Sequence, residues 1–223
     1  MAACEPIKPC TMSIPQAFAL ENRRLYGILD LGYVSPLKSI SMASAMLEGG
    51  VEILQLRAKG IPKADILSIA IPLAELSRKS GVPFLLNDHP DLVQECGADG
   101  AHVGQDDMSV AVARSLAGDG KIIGLSTHSL AQARAAQDQT PDYIGFGPLF
   151  ATPTKPDYKP IGTADIQAVH EHVTIPVFCI GGIKRENLPA VLQSGAKRVV
   201  IVSGILQASD VRDYCRDCLT LFH

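Results

Sequence analysis

The strongest constraint on the fold is a repeated alternation, from Leu25 onward, between short apolar runs and segments with helical periodicity. The runs are nearly all apolar rather than alternating, as expected for parallel strands that are covered on both faces. Eight β-α units in about 200 residues predict a (β/α)8 TIM barrel in a single domain, because a closed barrel of this type needs eight strands. The predicted strands are residues 26–29, 51–56, 83–86, 100–103, 121–125, 143–146, 177–180 and 198–202.

Glycines at three predicted helix ends support this count of units. Gly50, Gly97 and Gly195 each stand just before a predicted strand, where glycine suits the left-handed cap that turns the chain back. An open doubly wound sheet is the alternative architecture. The first predicted strand is not followed by a G-x-G-x-x-G turn, so a dinucleotide-binding fold has no support.

Composition and charge exclude two classes of partner. The net charge of −3 argues against binding of nucleic acid through a basic surface, and the longest apolar runs are too short to span a membrane. Residues 1–24 lack the basic start and continuous apolar stretch of a secretory signal. We therefore expect a cytoplasmic protein with an N-terminal extension (1–24) and a catalytic barrel (25–223). The extension is expected to be flexible or to place a short helix (16–22) over one end of the barrel.

Cys215 and Cys218 form a C-x-x-C pair in the predicted last helix. The pair lacks the second cysteine pair or histidine cluster that a metal site of this kind needs. We interpret both as ordinary helical cysteines, with metal or redox chemistry as the alternative.

In a (β/α)8 barrel the active site lies at the carboxyl ends of the strands, so polar residues just after each strand are the candidates. Gln55, Arg57 and Lys59 follow the second strand, and alternation places them on one side, towards the mouth. Two cations and an amide suit a polyanion such as a diphosphate. A solvated charged loop is the alternative interpretation.

Acidic residues follow the third and fourth strands. Asn87 and Asp88 precede Pro90, and Asp106 and Asp107 precede a predicted helix near residue 109. Either group suits a helix cap, since Asn and Asp are favoured there. Two acidic loops on neighbouring strands beside a cationic strand end also suit Mg²⁺, which is bound by carboxylates, waters and substrate phosphates.

The remaining strand ends carry small or hydroxyl residues. Ser126 is expected to face the mouth of the barrel, and Ser129 is predicted to cap the next helix. We interpret His128 as a structural or peripheral residue. Gly182 follows the seventh strand, and Ser203 the eighth. Small residues at these two places form the recurrent phosphate site of such barrels, using backbone N–H groups.

The long loop after the sixth strand combines restricted backbone with anion-binding side chains. It carries Thr152, Thr154 and Lys155 among prolines, and no helix is predicted before about residue 165. A loop of this length in a compact domain is usually functional.

Together the strand ends predict two anion sites, one for a diphosphate with Mg²⁺ and one for a monophosphate. No cysteine, serine–histidine pair or buried lysine suggests covalent catalysis. Departure of a diphosphate beside a second phosphorylated substrate fits such a mouth.

At these residues the chain resembles the thiamine-phosphate synthase family. The matching motifs occur in family order between Leu25 and Ile205. They are Q-L-R-A-K (55–59), N-D (87–88), G-A-D-G-A-H-V-G-Q-D-D (97–107), G-L-S-T-H-S (124–129), G-P-L-F-A-T-P-T-K (147–155), I-G-G-I (180–183) and V-S-G-I (202–205).

The resemblance implies a (β/α)8 transferase that joins hydroxymethylpyrimidine diphosphate to thiazole phosphate and releases diphosphate by a dissociative, Mg²⁺-assisted substitution. It implies Asp88 and Asp107 as Mg²⁺ ligands, with Asp106 a neighbour. Arg57, Lys59, Ser126 and Lys155 would be the catalytic residues. The pyrimidine diphosphate would be held by Gln55, Arg57, Lys59, Asn87, Ser126 and Lys155, and the thiazole phosphate by Thr152, Thr154, Gly182, Val202 and Ser203.

Two alternatives remain within this fold: a thiazole tautomerase and a non-catalytic phosphate-ligand-binding barrel. The presence of Asp88, Asp107, Lys59 and Lys155 favours the synthase. Two residues depart from the family pattern: Gly204 stands where synthases usually have alanine, and His89 where they often have Asp or Arg. The roles of both residues are left open. The expected partners are two small phosphorylated substrates; a homo-oligomer is left open.

Overall fold

The computed structural model describes residues 19–152 and 159–222, and its strands close into a parallel barrel in which β8 pairs with β1. The predicted (β/α)8 fold is confirmed. Each strand pairs with the next in the chain, so neighbouring strand ends bring sequence-distant residues together, as in the pairs Asp30–Arg57 and Asn87–His102. The strands are β1 (Leu25–Asp30), β2 (Ile53–Arg57), β3 (Phe84–Asn87), β4 (Gly100–Val103), β5 (Ile122–Thr127), β6 (Tyr143–Phe146), β7 (Val177–Ile180) and β8 (Val199–Ile201).

Helices connect the strands and pack on the outside of the barrel. The α-helices found in the described ranges are α1 (Ser39–Glu48), α2 (Lys63–Lys79), α3 (Val93–Cys96), α4 (Val110–Ala117), α5 (Leu130–Ala136), α6 (Ile166–His172), α7 (Leu188–Gln193), α8 (Ser203–Leu206) and α9 (Val211–Thr220). Short 3₁₀ turns cover Leu20–Asn22, Pro36–Lys38, Pro90–Leu92 and Gln137–Gln139. Ser109 and Ser129 cap α4 and α5, each accepting a backbone N–H bond.

Two apolar layers explain why the strands are apolar throughout. Alternate strand residues such as Leu54 face the helices, and the others, such as Ile53 and Phe178, fill the barrel interior. All six residues of β1 and all four of β6 are buried. A strand that is buried on both faces needs apolar residues at every position, so it does not alternate between polar and apolar residues. The strands of this chain are continuous apolar runs for this reason.

Gly124 of β5 makes room for two large polar side chains inside the barrel. A Cβ at this position would lie 2.5 Å from Nδ1 of His102, and it would also overlap the ring of Tyr143. No real Cβ tolerates such a contact, so the absence of a side chain lets His102 and Tyr143 lie side by side. These two residues form part of the site described below.

The residues just before β1 close the amino end of the barrel. Leu20 is buried among the interior side chains, and the Arg198 guanidinium donates to the carbonyl of Glu21. Of the predicted helix over 16–22, the described part is the 3₁₀ turn Leu20–Asn22. Residues 1–18 lie outside the described residues.

Both cysteines of the C-x-x-C pair lie in α9 and are fully buried. Burial raises the pKa of the Cys215 and Cys218 thiols to about 12. Both thiols therefore stay protonated at neutral pH, which favours the interpretation as core residues, because metal binding and redox exchange need the thiolate.

In the described ranges, every helix is too short or too polar to cross a membrane.

Candidate active site

A cavity opens at the carboxyl ends of the strands, and residues from all eight strands or the loops after them line it. This is the convergence that the barrel rule predicts. Of the predicted site residues, those lining the cavity are Gln55, Arg57, Asn87, Ser126, Thr152, Gly182, Val202 and Ser203. We call the part formed by side chains of β1 to β5 the polar side, and the part formed by the loops after β7 and β8 the glycine side.

On the polar side, a buried carboxylate fixes the orientation of Arg57. Nη1 of Arg57 lies 2.7 Å from Oδ2 of Asp30, and Oδ1 of Asp30 accepts the backbone N–H of Gly32 at 2.9 Å. Asp30 is 2% exposed. The guanidinium has other N–H groups that remain available for an anion. Asp30 directly follows the predicted first strand but was not among the predicted site residues. Its role depends on the register of β1 with β2, which pairs it with Arg57.

Below Arg57, five side chains form a continuous hydrogen-bonded chain inside the barrel. Gln55 Nε2 donates to the Tyr26 hydroxyl (2.6 Å), which lies 2.9 Å from the Tyr143 hydroxyl. Tyr143 in turn lies 2.9 Å from Nδ1 of His102, whose Nε2 is 2.9 Å from Oγ of Ser126. Burial raises the pKa of both tyrosines, so both phenols stay neutral.

The contact between Ser126 and His102 corrects the expectation that no serine–histidine pair is present. The two residues lie 24 positions apart, and the pairing of β4 with β5 brings them together. The other ring nitrogen of His102 faces a neutral phenol, whereas in a hydrolase triad it faces a carboxylate. The pair therefore continues the polar hydrogen-bonded network and does not form a triad.

One acceptor in this network is left open. Gln55 is 1% exposed, and its Oε1 has no hydrogen-bond partner in the part of the chain that the structure describes. An unsatisfied buried acceptor costs about 1–3 kcal/mol. A ligand N–H group that reached Oε1 would recover this free energy, so the site favours a ligand with such a donor.

On the glycine side, backbone groups of two loops approach closely. Gly181 and Gly182 have φ of 99° and 64°, and a Cβ on Gly182 would lie 2.7 Å from Cβ of Phe150. The N–H of Leu149 bonds the carbonyl of Ile180 (2.8 Å), and the N–H of Phe150 bonds that of Gly181 (3.0 Å). The start of the long loop after β6 is thus held against the turn after β7.

His128 supports this loop from the other side. Its Nδ1 lies 2.6 Å from the carbonyl oxygen of Gly147, and its backbone N–H bonds Oε1 of Gln132. The imidazole also lines the cavity. These contacts agree with the structural interpretation of His128. Thr154 and Lys155, further along the loop, lie outside the described residues.

The acidic residues lie in the loops after β3 and β4, beside the cavity. Asp88 has a left-handed backbone (φ 64°), and its N–H bonds the carbonyl of His102. Oδ2 of Asp107 accepts the N–H of Gly104 at 2.7 Å, and the residue is exposed, as is Lys59. None of these three side chains lines the cavity.

Two neighbouring loops thus carry hard oxygen donors, which is the donor type that Mg²⁺ prefers. Among the described residues no group of three or more His, Cys, Asp or Glu could hold a metal ion. Mg²⁺ usually takes one or two carboxylates and completes its shell with waters and substrate phosphates. Asp88 and Asp107 are a donor set of that size.

Comparison with known proteins identifies the family. A family model described as thiamine monophosphate synthase matches residues 25–205. The chain belongs to this family. It is 40% identical over 199 residues to the thiamine-phosphate synthase of Chloroflexus aurantiacus, covering 89% of this chain and 92% of the relative. It is 43% identical over 199 residues to that of Halalkalibacterium halodurans, covering 88% and 93%.

Solved structures agree with this assignment to the thiamine monophosphate synthase family. The thiamine phosphate pyrophosphorylase from Pyrococcus furiosus superposes with a TM-score of 0.83 at 32% identity, over 91% of this chain and 97% of its own. A 3-hexulose-6-phosphate synthase superposes with a TM-score of 0.70 at 18% identity, over 90% and 100%, which is a likeness of fold alone. The predicted resemblance and the transferase class are confirmed.

Proposed function

We propose that this member of the thiamine monophosphate synthase family couples hydroxymethylpyrimidine diphosphate with thiazole phosphate, giving thiamine phosphate and diphosphate. The observation that carries the proposal is the two-sided cavity. Charged and amide side chains meet on the polar side, and close-packed glycine turns meet on the glycine side, within one opening. Two anionic substrates that must react with each other need such an arrangement.

The diphosphate would bind at the polar side. Arg57 is held by Asp30 and offers its remaining N–H groups, with Asn87 beside it. Lys59 and Lys155 would add positive charge from the loops after β2 and β6. Donors that are fixed in advance stabilise the charge that develops on a leaving diphosphate, and this is the main demand of a dissociative substitution.

The pyrimidine ring would lie above the buried polar chain. The open Oε1 of Gln55 suits the exocyclic amine of an aminopyrimidine, and Oγ of Ser126 offers a second polar contact. The two tyrosines of this chain are neutral, so their hydroxyls add no negative charge beneath the ring. The chain holds the two contacts in place because each member is bonded to the next.

Asp88 and Asp107 would hold Mg²⁺ against the diphosphate. When bound, the ion would neutralise part of the diphosphate charge and so favour its departure. No covalent enzyme intermediate is required, because the aminopyrimidine itself carries the cation that the thiazole nitrogen attacks. The thiazole phosphate would bind at the glycine side, on the Gly182 turn and at Ser203, with Thr152 and Thr154 from the long loop.

One mixture tests the proposal: both phosphorylated substrates with Mg²⁺, and separate readouts of thiamine phosphate and released diphosphate. We expect both products in equal amounts, and none when the thiazole phosphate is left out. Absence of thiamine phosphate under conditions where a family relative works would refute it. Isomerisation of the thiazole without coupling would instead identify a tautomerase.

A further inference from the structure

Helix α9 places a buried tyrosine directly behind the glycine side. Tyr214 is 9% exposed, and its hydroxyl accepts the backbone N–H of Arg185 at 2.7 Å. Arg185 follows the Gly181–Gly182 turn in the same loop. Tyr214 does not line the cavity. Tyr214 thus contacts the loop that carries the Gly181–Gly182 turn, at a residue outside the cavity.

The same hydroxyl occupies the space next to Gly204, directly after Ser203. A Cβ on Gly204 would lie 2.5 Å from Oη of Tyr214, 3.1 Å from Cγ2 of Ile201 and 3.3 Å from Cζ of Tyr214. A distance of 2.5 Å is not tolerated by a real Cβ. The position of Tyr214 therefore explains why residue 204 is a glycine.

Further contacts hold the loop after β7 in the same place. The Arg185 guanidinium lies 5.3 Å from the centre of the Tyr214 ring, and its Nη1 lies 2.7 Å from Oδ2 of Asp217. Asn187 Nδ2 donates to the carbonyl of Gly182 at 3.0 Å. Exposed ion pairs contribute little, and the Arg185 side chain is 45% exposed. We therefore expect the hydrogen bond to the tyrosine to hold this loop against α9 more firmly than the exposed ion pair does.

We propose that Tyr214 is a positioning residue that fixes both backbone segments of the glycine side, the Gly181–Gly182 turn and the Val202–Ser203 start of α8. The inference rests on the proposed function, since it assigns this side to the thiazole phosphate. An anion site made of backbone N–H groups depends on loop placement more than one made of long side chains, because a backbone group cannot change rotamer to follow its ligand. Gly204 and Tyr214 act as a matched pair in this role.

Tyr214→Phe removes the hydroxyl and leaves the ring in place. The N–H of Arg185 loses its acceptor, so the loop after β7 is free to shift. We expect the KM for thiazole phosphate to rise about fivefold to tenfold, as loss of one buried hydrogen bond implies, while the KM for pyrimidine diphosphate stays within about twofold. An equal rise for both substrates, or no rise, would contradict the positioning role.

The pairing is tested with Gly204→Ala in both backgrounds. Alone, the added methyl meets the tyrosine hydroxyl, and we expect the KM for thiazole phosphate to rise. In the Tyr214→Phe background the atom at 2.5 Å is gone. Gly204→Ala should then add less to the KM than it does alone. Independent effects of the two substitutions would overturn the pairing.

Leu219→Ala is the control on the same helix. The Leu219 side chain packs beside Gly50, just after α1, where a Cβ on Gly50 would lie 2.6 Å from Cδ1 of Leu219. Leu219 does not line the cavity. We expect a lower Tm with unchanged ratios of the two KM values. If the wild type makes no thiamine phosphate, the proposed function fails. Calorimetric titration of the same variants with thiazole phosphate then still tests the inference, because Tyr214→Phe should raise its Kd.

Discussion

The two sides of the cavity hold their ligand groups by opposite means. On the polar side, side chains point inward and are fixed by other side chains, as Arg57 is by Asp30. On the glycine side the backbones of two loops pack closely, and the space for this contact comes from missing side chains at Gly181 and Gly182. A polar-side residue can be changed with the backbone intact, whereas almost any added atom on the glycine side moves the backbone.

The largest effect is expected from the acidic loops beside the polar side. Asp107→Ala should lower kcat/KM about a hundredfold or more, because loss of the proposed Mg²⁺ would remove several kcal/mol of charge stabilisation. Measuring activity as a function of Mg²⁺ concentration determines the size of this loss. Asp106→Ala, an adjacent exposed carboxylate, is the control and should change activity less than about threefold. Equal losses in the two variants would remove the metal assignment.

For the second predicted ligand, Asp88→Asn is a better test than the alanine variant. Asp88 has φ of 64°, and asparagine tolerates this left-handed conformation, whereas alanine adds backbone strain. The asparagine variant should keep the Tm and require much more Mg²⁺ for activity. A normal Mg²⁺ requirement would place the ion elsewhere.

Gly182→Ala tests the glycine side directly. Left-handed backbone costs a non-glycine residue about 1–2 kcal/mol, and the crowding against Phe150 adds a similar amount. We expect the KM for thiazole phosphate to rise by roughly thirtyfold or more. Gly120→Ala is the matched control, since Gly120 has φ of 72° with no atom within 4 Å. It should lower the Tm and leave both KM values unchanged.

Asp30→Asn tests whether the polar side depends on a buried side-chain support. The substitution removes the partner of Arg57, and breaking a buried pair of this kind costs about 3–5 kcal/mol of stability. We expect a lower Tm and a KM for pyrimidine diphosphate about tenfold higher, with the KM for thiazole phosphate little changed. A loss shared by both substrates would show that the two sides are not independent.

The smallest effect is expected at Lys59. The side chain is exposed and does not line the cavity, although the family resemblance implies a role in binding diphosphate. Lys59→Ala should raise the KM for pyrimidine diphosphate only about threefold, and less at high salt, because exposed charges are screened. A loss as large as that of Arg57→Ala, measured in the same assay, would show that the loop after β2 brings Lys59 into contact with the substrate.

The fold could be predicted closely from the sequence. The bounds 100–103, 143–146 and 177–180 agree with β4, β6 and β7, because continuous apolar runs between turn residues are the signature of a buried parallel strand. The end of β5 was less well predicted. This strand continues to Thr127, two residues past the predicted end, since Ser126 and Thr127 look like loop residues in sequence although both are buried.

The site was predicted in part, and its misses share one cause. Residues at strand ends, such as Arg57 and Ser126, could be found because the barrel rule points to them. His102 and Tyr143 belong to predicted apolar strands, and nothing in the sequence marks them as site residues. Asp30 directly follows the predicted first strand, but its role depends on the ion pair with Arg57. The roles of these three residues depend on which strands pair and in which register, and these are relations between residues far apart in the chain.

By itself, therefore, the sequence determined the barrel, the order of its strands and the residues at its mouth, because these follow from local periodicity and from the handedness of β-α units. Only the tertiary structure decided that Asp30 supports Arg57, that a hydrogen-bonded polar chain runs from Gln55 to Ser126, and that Tyr214 fills the space beside Gly204. These contacts join residues that share no local pattern, and closure of the barrel and docking of α9 place them within hydrogen-bond or van der Waals distance.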